Sequence, residues 1–244
     1  MNTNRNTYTF IYASVLVVIV AALLAYVSGS LQERQQRNID TEKQLNILSS
    51  AHLATDAANA SNKISYVTAL FKKHVRNAYV VNYKGEVVDG DAFETEMKTQ
   101  YELMKEARKE ELRLPVFECT LDNGTLLYVV PCYGQGLWGP IWGYIALRDD
   151  CNTLYGAVFD HSGETPGLGS QIATPKYVRQ FVGKTIFEHD RFVSISVVKG
   201  GAKPDDAHAV DAISGGTITS KALEKLLFTS LEAYVPFFEN QNKP

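Results

Sequence analysis

Residues 211–235 read DAISGGTITSKALEKLLFTSLEAYV, and the two halves obey different rules. After Ser220, Leu223, Leu226, Leu227, Leu231 and Tyr234 recur at helical spacing on one face, which predicts a helix that docks on a sheet. Before it stand four hydroxyl side chains, Ser214, Thr217, Thr219 and Ser220, around the pair Gly215-Gly216. A helix start presents unpaired N–H groups and the positive end of its dipole, and glycines let a phosphate approach the backbone. Hydroxyls there can cap the helix, bind phosphate or be esterified by it. Ser and Thr are preferred N-caps and one would suffice. No Glu or Gln lies three residues after any of them to complete a capping box. The pattern therefore reads as an anion site, but it does not choose the hydroxyl.

Upstream of this helix the chain is rich in strands from Pro115 onward. VFECTLDNGTLLYVV carries Asn123-Gly124 between two β-prone runs, a hairpin signal, and IWGYIAL, LYGAVF and FVSISVV supply three more candidate strands. An antiparallel sheet is expected. TPKYVRQFV offers Thr174 as N-cap and Pro175 at the first helical position. Before Pro115, NKISYVTALFKKHV and EMKTQYELMKEARKEEL read as helices, and AYVVNYKGEVV as two short strands around Lys84-Gly85. These form a small α+β lobe.

From Asn6 to Gln32 there is no charged residue, and FIYASVLVVIVAALLAYV is almost wholly apolar. At about 1.5 Å per residue it is long enough for a hydrocarbon core of roughly 30 Å. A cleaved signal peptide has a shorter apolar region and a small-residue cleavage site, so a retained membrane helix is expected. The polar LQERQQRNIDTEKQLNILSS then continues as a membrane-proximal helix or solvated connector. Arg5 before the span stands against Arg34, Arg37 and Lys43 after it, a charge count that places the C-terminal body in the cytoplasm. The resulting organisation is an N-terminal tail at 1–7, a transmembrane helix at 8–31, a membrane-proximal helical segment and α+β lobe at 32–114, and a C-terminal domain at 115–244.

Several functional classes drop out. A net charge of −3 gives no basic footprint for nucleic acid. Cys119, Cys132 and Cys151 fit no CxxC metal spacing, and the five histidines show no i, i+3 or i, i+4 pair, so no metal is expected. Gly134-Gln-Gly136-Leu-Trp-Gly139 matches G-x-G-x-x-G, but a dinucleotide loop must open a helix, and here Pro140 and IWGYIAL follow. Its glycines and aromatics suit either an ordinary turn or the close approach of a flat ligand. The loop HSGETPGLGS, residues 161–170, holds three glycines and a proline. It is either a plain connection or a place where Glu164 and Thr165 meet the heteroatoms of a ring system with Leu168 on its face.

Together these stretches resemble a known family. Asp211-Ala-Ile-Ser214-Gly215-Gly216-Thr217-Ile-Thr219 is similar to the flavinylation motif D-x-x-[ST]-G-A-[ST]-x-[ST] of covalent FMN-binding domains. The GETPGLG loop, the GxGLWGPxxGYxAL stretch and the single N-terminal membrane helix resemble the C subunit of the sodium-translocating NADH:quinone oxidoreductase. The resemblance covers nearly the whole chain, with one departure, Gly216 where the family usually has Ala. It implies an α+β fold, with a twisted, mainly antiparallel sheet packed by helices. It implies FMN joined by a phosphoester to Thr219, with Ser214, Gly215, Gly216 and Thr217 around the phosphate, and Asp211 recognised by a separate flavin transferase. Glu164, Thr165, Gly167 and Leu168, with Leu137 and Trp138, would lie about the isoalloxazine ring.

The role implied is an electron relay within a sodium-pumping membrane complex, passing electrons from an iron–sulfur centre to a flavin in a partner subunit. No complete activity is expected of the chain alone. The resemblance puts the flavin domain outside the cytoplasm, in the periplasm of a bacterial inner membrane. That is preferred to the charge count, whose difference is small and which partner subunits override. Two other readings remain: the flavin subunit of an Rnf-type ferredoxin:NAD oxidoreductase, and a cofactor-free membrane-anchored scaffold module.

Overall fold

The computed structural model describes residues 3–241 and divides into two compact units that meet in sequence between Glu42 and Lys43. The first is α1 (Thr3–Ser50) up to that point. Its apolar side chains are open along the helix, with Phe10 75% and Tyr26 77% exposed. The helix is long and apolar enough to cross a bilayer. The tail expected at 1–7 is helical from Thr3, and Met1 and Asn2 lie outside the described residues. The polar segment after the span is also helix, unbroken to Ser50.

The second unit begins with the end of α1, where Ile47 and Leu48 are fully buried. Its centre is a six-stranded antiparallel sheet in the order β2-β1-β3-β4-β5-β6. The strands are β1 (Val75–Val81), β2 (Val87–Val88), β3 (Leu114–Thr120), β4 (Leu126–Gln135), β5 (Pro140–Arg148) and β6 (Leu154–His161). The Asn123-Gly124 turn joins β3 to β4, with Gly124 at φ 85°. Val80 faces Pro115 across β1 and β3, so the strands expected in a separate lobe extend the main sheet, and this compact unit runs across the boundary read at 114/115.

Alternate residues of β4 serve two cores, as a pleated strand dictates. Tyr128, Val130 and Cys132 face α5 (Thr217–Gln241), whereas Leu127 and Val129 pack with Ile47, Ala51 and Phe117. All five predicted apolar residues of α5 are buried there. Where α5 crosses β4, a Cβ added at Gly134 would lie 3.0 Å from Leu226 Cβ, so glycine lets the helix seat closely. The Tyr234 hydroxyl donates to the Pro115 carbonyl at 2.9 Å, tying helix to sheet. The helix also runs past the expected stretch, through Pro236.

The remaining α-helices among the described residues are α2 (Lys63–His74), α3 (Met97–Lys105) and α4 (Pro175–Val178). Thr174 caps α4 as expected, accepting from the Tyr177 N–H. α3 is shorter than its sequence pattern because Ala107 turns to φ 56°. FVSISVV departs from expectation too. Ser194 takes φ 60° and splits it, so Phe192 falls in β8 (Arg191–Phe192), paired with β7 (Phe187–Glu188). The last three residues of FVSISVV form β9 (Ser196–Val198), which runs parallel to β10 (Ala209–Asp211) outside the main sheet. β10 delivers the chain to the turn before α5.

Candidate functional site

Asp211 ends β10 and fastens the approach to α5 from two sides. Its Oδ1 accepts from the Ala202 N–H at 2.8 Å, and its own N–H donates to Gln180 Oε1 at 2.9 Å. Burial, and then the Asp211 charge, push the phenol of nearby Tyr177 up. The chain then turns through Gly215 at φ 76°, a conformation glycine adopts at no steric cost. The residue before the helix is Gly216, which has no side chain to cap it. The first helical closure is the Ser220 N–H to the Gly216 carbonyl at 2.9 Å, which leaves the N–H groups of Thr217, Ile218 and Thr219 without helical partners. Ser220 is turned away from them, its Oγ accepting from the Ile213 N–H at 3.0 Å.

The three residues that carry these N–H groups line a cavity of about 240 Å³ between the α5 start, the 161–170 loop and the β4–β5 turn. The turn is closed by Gly136 N–H donating to the Gly139 carbonyl at 2.8 Å. It directs the Leu137 and Trp138 N–H groups at Glu164 Oε1, at 2.7 and 3.1 Å. The other carboxylate oxygen, Oε2, accepts from the Thr219 hydroxyl at 2.6 Å. Glu164 and Thr219 are both buried. A Cβ at Gly136 would run into Glu164, and one at Gly169 into both Glu164 and Thr219, so only glycine fits at these places. Leu168 lies against Gly215, and Leu137, Trp138, Leu168 and Ile218 are exposed around the opening.

The lining brings together Leu137, Glu164, Thr165, Leu168, Gly215, Gly216, Thr217 and Thr219 from the sequence-based set. Trp138 joins through its N–H. Gly167, Ser214 and Asp211 do not line the cavity; Gly167 turns the loop at φ 75° and Asp211 holds the neighbouring segment. Sequence reasoning missed Gly169 and Ile218, which do line it. The second glycine of the GLG run was the available signal for Gly169.

The residues present suit a phosphate-bearing flat ligand. Donors converge at a helix N-terminus beside a hydroxyl, close backbone approach is possible, and apolar side chains rim the mouth.

Comparison with known proteins agrees with this geometry. Residues 136–232 match the FMN-binding domain family, a span that includes the β4–β5 turn, the 161–170 loop and most of α5. Over 217 residues the chain is 32% identical to the C subunit of the Na(+)-translocating NADH-quinone reductase of Haemophilus ducreyi, covering 86% of this chain and 83% of that one. It is 28% identical to the Pseudomonas aeruginosa protein of the same name over 242 residues, covering 93% and 91%. Among solved structures it is similar to the corresponding protein from Parabacteroides distasonis, with TM-score 0.74, 40% identity, and coverage of 87% of this chain and 98% of that one. The Shewanella oneidensis NqrC structure is also similar, at TM-score 0.69 and 29% identity, with 85% and 98% covered. With fold, cavity and sequence in agreement along most of its length, the chain belongs to the NqrC family, the C subunits of the Na(+)-translocating NADH-quinone reductase.

Proposed function

We propose that this chain carries FMN on Thr219 through a phosphoester and serves as an electron relay within a sodium-pumping NADH:quinone oxidoreductase. In that role it passes electrons from an iron–sulfur centre to a flavin in a partner subunit. The observation that carries this reading is the Thr219 hydroxyl, set in the first turn of α5 beside a cavity lined by Thr217, Ile218 and Thr219, whose N–H groups have no helical partners. The Haemophilus ducreyi and Pseudomonas aeruginosa relatives bear the name of the sodium-translocating reductase, which favours this complex over an Rnf-type one.

FMN would supply the redox chemistry and the protein its position and electrostatics. The N–H groups of Thr217, Ile218 and Thr219 would hold the phosphate, with the dipole of α5 favouring its charge. Leu137, Trp138 and Leu168 offer apolar surface to the ring, and their exposure leaves it open to partner subunits. A cofactor that open needs a covalent tether to stay in place. We also propose that residues 8–31 span a bacterial inner membrane once, that 115–244 hold the flavin in the periplasm, and that a flavin transferase completes maturation.

The test is the denatured protein, made in a host that flavinylates other proteins and separated by electrophoresis. The parent band is expected to fluoresce as a flavin, and Thr219→Ala to be dark at equal abundance. A dark parent favours the cofactor-free scaffold instead.

A further inference from the structure

This inference rests on the covalent reading above and concerns how the bond is made. Thr219 is buried in the first turn of α5, where its hydroxyl turns to the carboxylate of Glu164, 55 residues away in sequence. At 2.6 Å this is at the short end for a hydroxyl donor, as when the acceptor is charged. The carboxylate cannot swing away, because the Leu137 and Trp138 N–H groups hold its other oxygen. Gly136 and Gly169 close on it from two sides, with no room for a Cβ at either. A nucleophile hydrogen-bonded to a base, with the base oriented by further groups, is the arrangement that activates a hydroxyl. A latch for one hydroxyl and two N–H groups would be served by a neutral amide, without burying a carboxylate at a cost in desolvation.

We propose that Glu164 is the general base for modification of Thr219, so that the acceptor chain supplies part of its own catalytic machinery. Joining FMN itself to an alcohol would expel water and is uphill in water, so the co-reactant is an activated flavin nucleotide, a dinucleotide with a phosphoanhydride. As Thr219 Oγ1 attacks the flavin-side phosphorus, the Oγ1–P bond forms and the anhydride P–O bond breaks. The leaving nucleoside monophosphate takes that electron pair. The hydroxyl proton passes to Glu164 Oε2 and then to solvent, and nothing is oxidised or reduced.

The experiment mixes the full-length apo-protein with flavin transferase and flavin dinucleotide and follows the gain of FMN less water by intact mass. Glu164→Gln is expected to slow the gain by about 10²–10⁴-fold, the usual contribution of a general base, with an unfolding temperature close to the parent's. Glu164→Ala, which opens space beside Oγ1, is expected to regain rate with added formate, an effect that loss of a structural contact would not produce. Modification of Glu164→Gln at the parent's rate, or no response of Glu164→Ala to formate, overturns the inference. Should neither fold, Glu164→Asp decides. A parent that gains no FMN overturns the covalent reading itself; a parent modified on Thr219 with variants equal to it overturns only the role of Glu164.

Discussion

At Gly216 a single methyl group separates this chain from the Ala usual in the resembling motif. A Cβ there would lie 2.9 Å from Ile213 Cγ2 and 3.1 Å from Ile213 Cβ, so the β-branch of Ile213 occupies the space an alanine needs. Gly216→Ala alone is expected to destabilise by about 1–3 kcal/mol through overpacking. Ile213→Leu, which removes Cγ2, should recover part of that loss. Chemical denaturation of the two single variants and the double variant checks this, and strict additivity would contradict it. The departure at Gly216 was visible in sequence, but its cause was not, because it depends on how the turn folds back on Ile213. The same holds for Thr219. Its place in a hydroxyl-rich helix start was legible, whereas its bond to Glu164 joins residues far apart in the chain.

Among the elements, α5 was legible because its period-3.6 stripe is unbroken, and the β3–β4 hairpin because Asn123-Gly124 permits few other turns. FVSISVV was misread as one strand because its β-prone composition says nothing of Ser194 at positive φ. The docking of α5 positions the site, so damage to its packing should spread to its N-terminus. Leu227→Ala, at a fully buried position, is expected to cost about 2–5 kcal/mol. Tyr234→Phe leaves the Pro115 carbonyl without its donor in the core and should cost about 1–3 kcal/mol. Urea unfolding would measure both, and a Tyr234→Phe variant as stable as the parent would contradict the helix-to-sheet tie.

For the molecule as a whole, three buried thiols set a limit at alkaline pH. Burial pushes Cys119 up to about 11 and Cys132 to about 12; Cys151 also rises to about 12, by burial and then the neighbouring Asp150 and Asp149 charges. The folded chain therefore holds these protons more tightly than the unfolded one, whose thiols ionise near the ordinary 9.0. Their contribution is complete below about pH 9 and is lost as pH rises through the folded values, by about 1.4 kcal/mol per pH unit for a fully buried thiol such as Cys132. The unfolding temperature is expected to fall steadily above pH 9, and a flat profile to pH 11 would contradict it.

The central claim is that a redox cofactor is bound covalently at the start of α5. Its most direct test is the intact mass of the protein purified from its native membrane, followed by peptide mapping of residues 211–221. The predicted result is a gain equal to FMN less one water, located on Thr219. An unmodified peptide, from a cell that flavinylates other proteins, would contradict it.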